Sequence, residues 1–335
     1  MTSRHSDVLK RVVLAVCESI DSPRALSTWL CMKYNQAELL NLLPVDPADN
    51  NSHEFLLSYF LSEYLSKYKG LKSGIKTREV ALGRWISSEQ QCFETNKKFR
   101  EYVRRPFDGR AETVLFRTQR LISMILGPLN VSNVLADCKL GPGATFDLRR
   151  GDATPDQKYS RAISVTASAL PYFKAVLEAD PHWCYCFLQV LPEGPVSLLP
   201  QARCFQLVRG SRFLTVPKSA KTDRCIAAEP TGNQFLQQGV HSFMRRRLRR
   251  YGVDLSNQEL NQRAARSAYL SGYSTLDLSA ASDTISRELV YHLLPLDWAM
   301  FLDSLRSQET LVDGEWIRTE KFASMGNAFC FELET

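Results

Sequence analysis

The stretch "STLDLSAASDTIS" (Ser274–Ser286) sets two aspartates, Asp277 and Asp283, around a run of small and hydroxyl residues. If "TLDL" is a strand, Leu276 and Leu278 point to one face and bury against helices, while Asp277 stands alone on the other. An acid so placed has no helix end to cap and no Lys or Arg neighbour in sequence. It suits a hard cation such as Mg2+, which takes one or two carboxylates plus substrate phosphates. Beyond it, Ile285, Leu289 and Leu293 recur every four residues, so a helix is expected until Pro295 stops it. Asp283 falls in the first turn of that helix, where capping accounts for it as well as chemistry does.

Two further segments carry chemical groups. In "TVPKSAKTDRCIAAEP", Lys218, Lys221 and Arg224 are spaced three apart between Pro217 and Pro230. Such cations can neutralise a triphosphate, Lys as point charges and Arg as a two-pronged fork, or they can simply be solvated. In "SMGNAFCFELET", Ser324, Gly326 and Asn327 precede an apolar stretch with helical character. Gly326 permits a tight turn, and the Asn327 amide can both donate to and accept from a sugar hydroxyl; ordinary helix capping is the competing account.

The elements that must hold these residues read as a mixed fold. Residues 1 to about 135 are mainly helical by their three- and four-residue apolar spacing, as in "HEFLLSYFLSEYLSKY" and "TVLFRTQRLISMILG". "CKLGPGATFDLRRGDATPD" is a loop whose glycines either turn the chain or offer amides to a phosphate. A helix is expected over "AISVTASALPYFKAVLEA", followed by short strands up to about Pro217. In "NQFLQQGVHSFMRRRLRRYG", Leu236, Val240, Phe243, Met244 and Leu248 share one helical face, and Gly252 can end the helix. "SNQE" (Ser256–Glu259) reads as a capping box opening another helix.

Charge is concentrated rather than spread. Between Arg203 and Arg250 eleven Lys and Arg face two acids, a local excess of nine in a chain of net charge +6, so the remainder carries −3. That segment suggests a polyanion, nucleic acid first, with Arg245, Arg246, Arg249 and Arg250 as the candidate contacts. The same arginines also suit the negative end of a helix dipole. Nine cysteines are scattered, and Cys184 and Cys186 have the wrong spacing for a zinc knuckle, so buried free thiols are expected. No apolar run reaches the roughly 18 residues of a membrane span, and a cytoplasmic protein follows by default.

Taken together and in order, "VPKSAKTDRCIAAEP", "NQELNQRAA", "LDLSAASDTIS" and "SMGNAFCFELET" resemble the catalytic subunit of single-stranded RNA bacteriophage replicases, the Qβ type of RNA-directed RNA polymerase. The resemblance is dense from about Thr215 to Thr335, with "GPGATF" its best trace upstream. It implies an α+β, right-hand polymerase with an antiparallel palm sheet backed by helices. Residues 1–135 would be a helical fingers region, 136–272 fingers with the basic nucleotide- and RNA-binding segment, and 273–335 the first half of the palm. By the same resemblance Asp277, with the Leu278 carbonyl, binds two catalytic Mg2+ ions, about 3.5–4 Å apart. Asp283, Ser324 and Asn327 recognise the ribose 2′-hydroxyl, and Lys218, Lys221 and Arg224 cradle the triphosphate. Template RNA and ribonucleoside triphosphates are the implied ligands. Host elongation factors Tu and Ts with a ribosomal protein are the implied partners, and the cytoplasm of an infected bacterium is the implied location.

One departure from the family pattern bears on activity. The family carries a Gly-Asp-Asp hairpin after the "SMGN" helix, and no adjacent Asp-Asp pair occurs in this chain. The expectation is therefore fingers plus an incomplete palm, a sheet edge left open near Leu276 and Leu278, and no polymerase activity from the chain alone. A non-catalytic RNA-binding module is the alternative from a different class.

Overall fold

A computed structural model describes residues 3–42, 45, 52–67, 71, 73–159, 161–180, 205–274, 276 and 278–335. The chain divides into two compact units, one of Met1–Trp85 with Thr215–Cys225 and one of Ile86–Leu214 with Ile226–Thr335. Helices and short sheets mix throughout, an α+β arrangement.

The Met1–Trp85 part of the first unit is helical, as the apolar spacing predicts. It contains α1 (Ser3–Ser19), α2 (Pro23–Lys33), α3 (Ser52–Ser66) and the first turns of α4 (Thr77–Arg100). Ser22 caps α2 by accepting from the Ala25 N–H at 3.1 Å, and Pro23 occupies the first turn, where its missing N–H is harmless. Val13, Cys17, Ala25, Met32, Leu61 and Leu65 form its core. Segment Thr215–Cys225 is tied to these helices by polar bonds. The Ala220 N–H donates to Ser66 O at 2.7 Å, Ser73 Oγ donates to Ala220 O at 2.8 Å, and the Cys225 thiol donates to Ala81 O.

The second unit begins with the rest of α4 and continues through α5 (Gly109–Leu126), α6 (Val131–Leu135), α7 (Pro155–Tyr159), β1 (Ile163–Val165), α8 (Leu170–Ala179) and β2 (Phe205–Leu207). The helix expected over 162–179 starts later than its spacing suggested. Ile163 and Val165 are β-branched and wholly buried in β1, which pairs in parallel with β2, and only Leu170–Ala179 is helical. The "GPGATF" loop is a turn closed by its carbonyls. Buried Lys158 donates to Gly141 O and, at 2.8 Å, to Gly143 O.

The chain then forms β3 (Ser211–Pro217), β4 (Asp223–Ala228), α9 (Thr231–Arg250), α10 (Glu259–Ser271), α11 (Arg287–Leu293), α12 (Leu296–Leu305), β5 (Glu309–Val312), β6 (Glu315–Arg318) and α13 (Cys330–Glu334). Helix α9 is the axis of the core. Leu236, Val240, Met244 and Leu248 are buried along the face that their spacing predicts, and Phe243 packs on Trp298 with ring centres 5.3 Å apart. Asn233, fully buried, ties α9 to two neighbours through bonds to Thr166 and to Leu305 O.

The sheet order is β4-β3-β5-β6, with β3 and β5 parallel and β5 and β6 antiparallel. The described sheet is thus mixed, whereas the resemblance implied an antiparallel one. The capping box also differs: α10 begins without a bond from Gln258, and Ser256 Oγ instead accepts from Arg245 Nη1 at 3.2 Å. Asn257 does the capping through the Glu259 N–H at 2.9 Å. Among the described cysteines Cys17, Cys31, Cys92 and Cys330 are buried, and all six described are free thiols. No described helix is long and apolar enough to cross a membrane. Cys184 and Cys186 lie outside the described residues.

Candidate active site

The three phosphate-cradle candidates sit in the Thr215–Cys225 segment of the first unit, around the turn between β3 and β4. Lys218 and Lys221 lie on its turn and Arg224 on β4, all three exposed. Ser219 shapes the turn by accepting from the Lys221 and Thr222 N–H groups, each at 3.2 Å. Among the described residues no carboxylate pairs with any of the three cations, so their charge is available to an anion.

The sugar-recognition candidates belong to the second unit. Residues 285–287 and 320–322 run side by side, joined by bonds from the Phe322 N–H to Ile285 O at 2.8 Å and from the Arg287 N–H to Glu320 O at 3.0 Å. That pairing carries Asp283 beside Lys321. Asp283 is not in the first turn of a helix: it ends a short 3-10 turn, Ala281–Asp283, while Ser286 precedes α11. Its Oδ1 accepts from the fully buried Lys321 ammonium at 2.7 Å, and among the described residues no donor reaches Oδ2. The 3-10 turn packs on α13, the helix introduced by "SMGN".

Gly326 explains that turn. Its φ is +119°, and a Cβ there would stand 2.1 Å from Ala227 O. Only glycine lets this backbone lie so close to β4, where the Ala227 N–H donates to Met325 O at 2.8 Å. Asn327 follows, buried. Its Oδ1 accepts from the Phe329 N–H at 3.1 Å, which orients the amide, and among the described residues its Nδ2 has no partner. Half-buried Ser324 accepts from the Asn327 N–H through its carbonyl at 3.0 Å. The oxygen of this one side chain therefore serves the helix, and among the described residues its NH2 is left over.

The metal expectation fares differently. Asp277 lies outside the described residues. Leu276 and Leu278 flank it without regular structure, 91% and 76% exposed, so the expected burial of both leucines against helices is not observed. No described strand pairs with them. Among the described residues no group of three or more His, Cys, Asp or Glu could hold a metal ion. The Leu278 carbonyl alone is too small a ligand set for Mg2+.

The arginine cluster is partly committed within the protein. Arg245 Nε bonds buried Glu332 Oε1 at 2.7 Å, and His241 Nδ1 lies 3.0 Å from the same oxygen. Burial pushes the Glu332 carboxyl up, but these two neighbours outweigh it and hold it below the usual range. Arg246 pairs with Asp137, and Arg247, which was not singled out, bonds Ile125 O and Met124 O. Arg249 stays largely exposed with a 3.4 Å pair to Asp254, and Arg250 is exposed.

Two groups escaped the reading of motifs. One face of α4 presents Glu89, Cys92, Asn96 and Arg100 to the segments around Asp283 and Lys321. Glu89 Oε2 accepts from the Glu320 N–H at 2.6 Å, the Cys92 thiol donates to Asp283 O at 3.5 Å, and Asn96 bonds Glu320 O and the Glu288 N–H, both at 2.8 Å. Their spacing of three and four along a helix was a visible signal, although their partners lie some two hundred residues away. The other group lines a 470 Å3 cavity that includes Thr166, Ser168, Arg209, Arg306, Gln308 and Arg318. Arg209 grips Glu309 with two bonds, 2.8 and 3.0 Å long, and holds that carboxyl below the usual range.

The described residues thus give an α+β chain with a "SMGN" turn close to a Lys-bound aspartate and, among them, cations without a carboxylate partner at the turn between β3 and β4. Comparison with known proteins is specific: residues 24–335 match the family model for the RNA replicase beta-chain, and the chain belongs to that family. It is 36% identical over 292 residues to the RNA-directed RNA polymerase subunit beta of Enterobacteria phage SP, covering 86% of this chain and 48% of the relative. It is 34% identical over 306 residues to the subunit of the same name from Escherichia virus Qbeta, covering 90% and 49%. With the beta chain of Escherichia phage MS2 it shares 38% identity over 205 residues, 61% of this chain and 36% of the relative. The chain spans about half the length of the first two.

Proposed function

We propose that this chain is the nucleotide- and RNA-handling part of an RNA-directed RNA polymerase that copies a phage RNA genome in the cytoplasm of an infected bacterium. Residues 1–135 and 136–272 would form the fingers, and 273–335 the first half of the palm, of a right-hand enzyme. The observation that carries the reading is Asn327. A buried amide NH2 without a partner is costly, and such groups ask for an explanation. A ribose hydroxyl accepting from it supplies one, with the unoccupied Oδ2 of Asp283 as the matching acceptor for the hydroxyl proton. Ser324 adds a hydroxyl to the same set.

Lys218, Lys221 and Arg224 would neutralise the triphosphate and the pyrophosphate that leaves. Arg249 and Arg250, with Arg245 and Arg246 behind them in ion pairs, would meet template phosphates. Asp277 and the Leu278 carbonyl would take part in holding two Mg2+ ions, which supply Lewis-acid stabilisation of the attacking and leaving oxygens when bound. Elongation factors Tu and Ts and a ribosomal protein are the proposed host partners.

The test is photolabelling of the 335-residue chain with an azido derivative of GTP. Saturable labelling that GTP competes away, and that falls when Lys218, Lys221 and Arg224 are replaced by Ala, supports the reading. Labelling that does not saturate, or that ignores the triple substitution, refutes the assigned cradle.

A further inference from the structure

The ion pair at Asp283 is unusual in its burial. The Lys321 side chain is 0% exposed, and its ammonium sits between two carboxylates, Asp283 Oδ1 at 2.7 Å and Glu89 Oε1 at 3.4 Å. An ammonium taken out of water is tolerated only with good partners, and removing one partner leaves an uncompensated buried charge. The other groups facing this cluster are also fixed. Glu89 Oε2 is held by the Glu320 N–H, and Asn96, fully buried, clamps Glu320 on one side and the start of α11 on the other. The Cys92 thiol reaches the Asp283 carbonyl, and burial pushes that thiol up to about 12. Neither Glu89 nor Lys321 belongs to the set expected to touch a nucleotide.

We propose that Lys321, braced by Glu89, is a positioning residue that locks the Asp283 carboxylate by one oxygen and turns the other toward the incoming sugar, so that it sets the preference for ribose over deoxyribose. The inference rests on the reading of Asp283 as a ribose contact. Without the ammonium, Asp283 and Glu89 become two carboxylates sharing a dry site. Repulsion then drives the Asp283 carboxylate to rotate toward solvent. That rotation removes a correctly aimed acceptor for the 2′-hydroxyl. Lys321→Met keeps the stem's bulk and deletes only the charge, whereas Lys321→Arg keeps the charge.

The experiment is equilibrium binding of GTP and of 2′-deoxy-GTP, with Mg2+, to the 335-residue chain and to three variants. The expected result is a preference for GTP in the parent, its collapse in Asp283→Ala, a loss of about tenfold or more in Lys321→Met, and partial recovery in Lys321→Arg. Total nucleotide affinity through the triphosphate should change far less. If Asp283→Ala collapses the preference and Lys321→Met does not, the positioning role is wrong and the sugar site stands. If Asp283→Ala has no effect, or the parent does not discriminate, the sugar site itself fails and the selectivity claim falls with it. Alkylation of Cys92, followed on its own peptide, checks the geometry without any nucleotide. It should be slow in the parent and in Lys321→Arg and fast in Lys321→Met, and equal protection in all three would overturn the lock.

Discussion

Replacing Gly326 by Ala tests whether the "SMGN" turn is held where the account needs it. Two effects add. A non-glycine residue at φ +119° is strained by about 1–3 kcal/mol. Beyond strain, the new Cβ would lie 2.1 Å from Ala227 O and 3.0 Å from Ala227 C, so backbone must move rather than a side chain. That movement breaks the 2.8 Å bond from the Ala227 N–H to Met325 O and leaves a buried donor without a partner, a further ~1–3 kcal/mol. The total expected is about 2–6 kcal/mol.

Gly314 supplies the control. It sits in the Asp313-Gly314 turn between β5 and β6 with φ +96°, and nothing lies within 4 Å of a Cβ placed there. Gly314→Ala should show the strain alone, about 1–2 kcal/mol. Urea unfolding of both variants measures the difference. A gap of about 2 kcal/mol or more between them supports the close approach to β4, and equal costs would refute it.

Three further outcomes follow from the same geometry. Glu332→Ala removes the partner of Arg245 and should destabilise by about 3 kcal/mol at neutral pH. Because the folded carboxyl is held below its usual 4.5, the part of that stabilisation that depends on its charge is complete above 4.5 and lost as pH falls through the folded value, so the gap between parent and variant should narrow in acid melts. Glu229 is opposite in sign: complete burial pushes its carboxyl up despite bonds from Ser307 and Gln237. Its ionisation penalty grows as pH rises above 4.5 toward the folded value, so Glu229→Gln should gain stability relative to the parent between melts at about pH 4 and about pH 8. Arg249→Ala and Arg250→Ala should each lower the salt slope of RNA binding by about one, read from affinities across a salt series. An unchanged slope would remove these arginines from the interface.

The helices were legible because a buried stripe repeats at helical spacing whatever lies opposite it, and Leu236 to Leu248 show this directly. The short elements were not. "AISV" continued an apolar run that a helix would also produce, and only its pairing with Phe205–Leu207 makes it a strand. "TLDL" alternates as a strand should, yet alternation needs a partner, and no described strand lies beside Leu276 and Leu278. The capping box failed for a similar reason, since Ser256 Oγ found Arg245 before it found the helix. At the site, Gly326 and Asn327 could be singled out locally, because a tight turn and a bifunctional amide are properties of single residues. The Lys321 lock could not, because Asp283 and Glu89 reach it from 38 and 232 residues away.

The most direct test of the central claim is RNA synthesis. The 335 residues would be fused to the part of the Qbeta relative that they do not cover, and ribonucleotide incorporation on an RNA template followed with Mg2+ present. The account predicts template-dependent incorporation that Asp277→Ala lowers by about a hundredfold or more while RNA binding persists. Incorporation that survives Asp277→Ala, or none from a folded fusion, would contradict it.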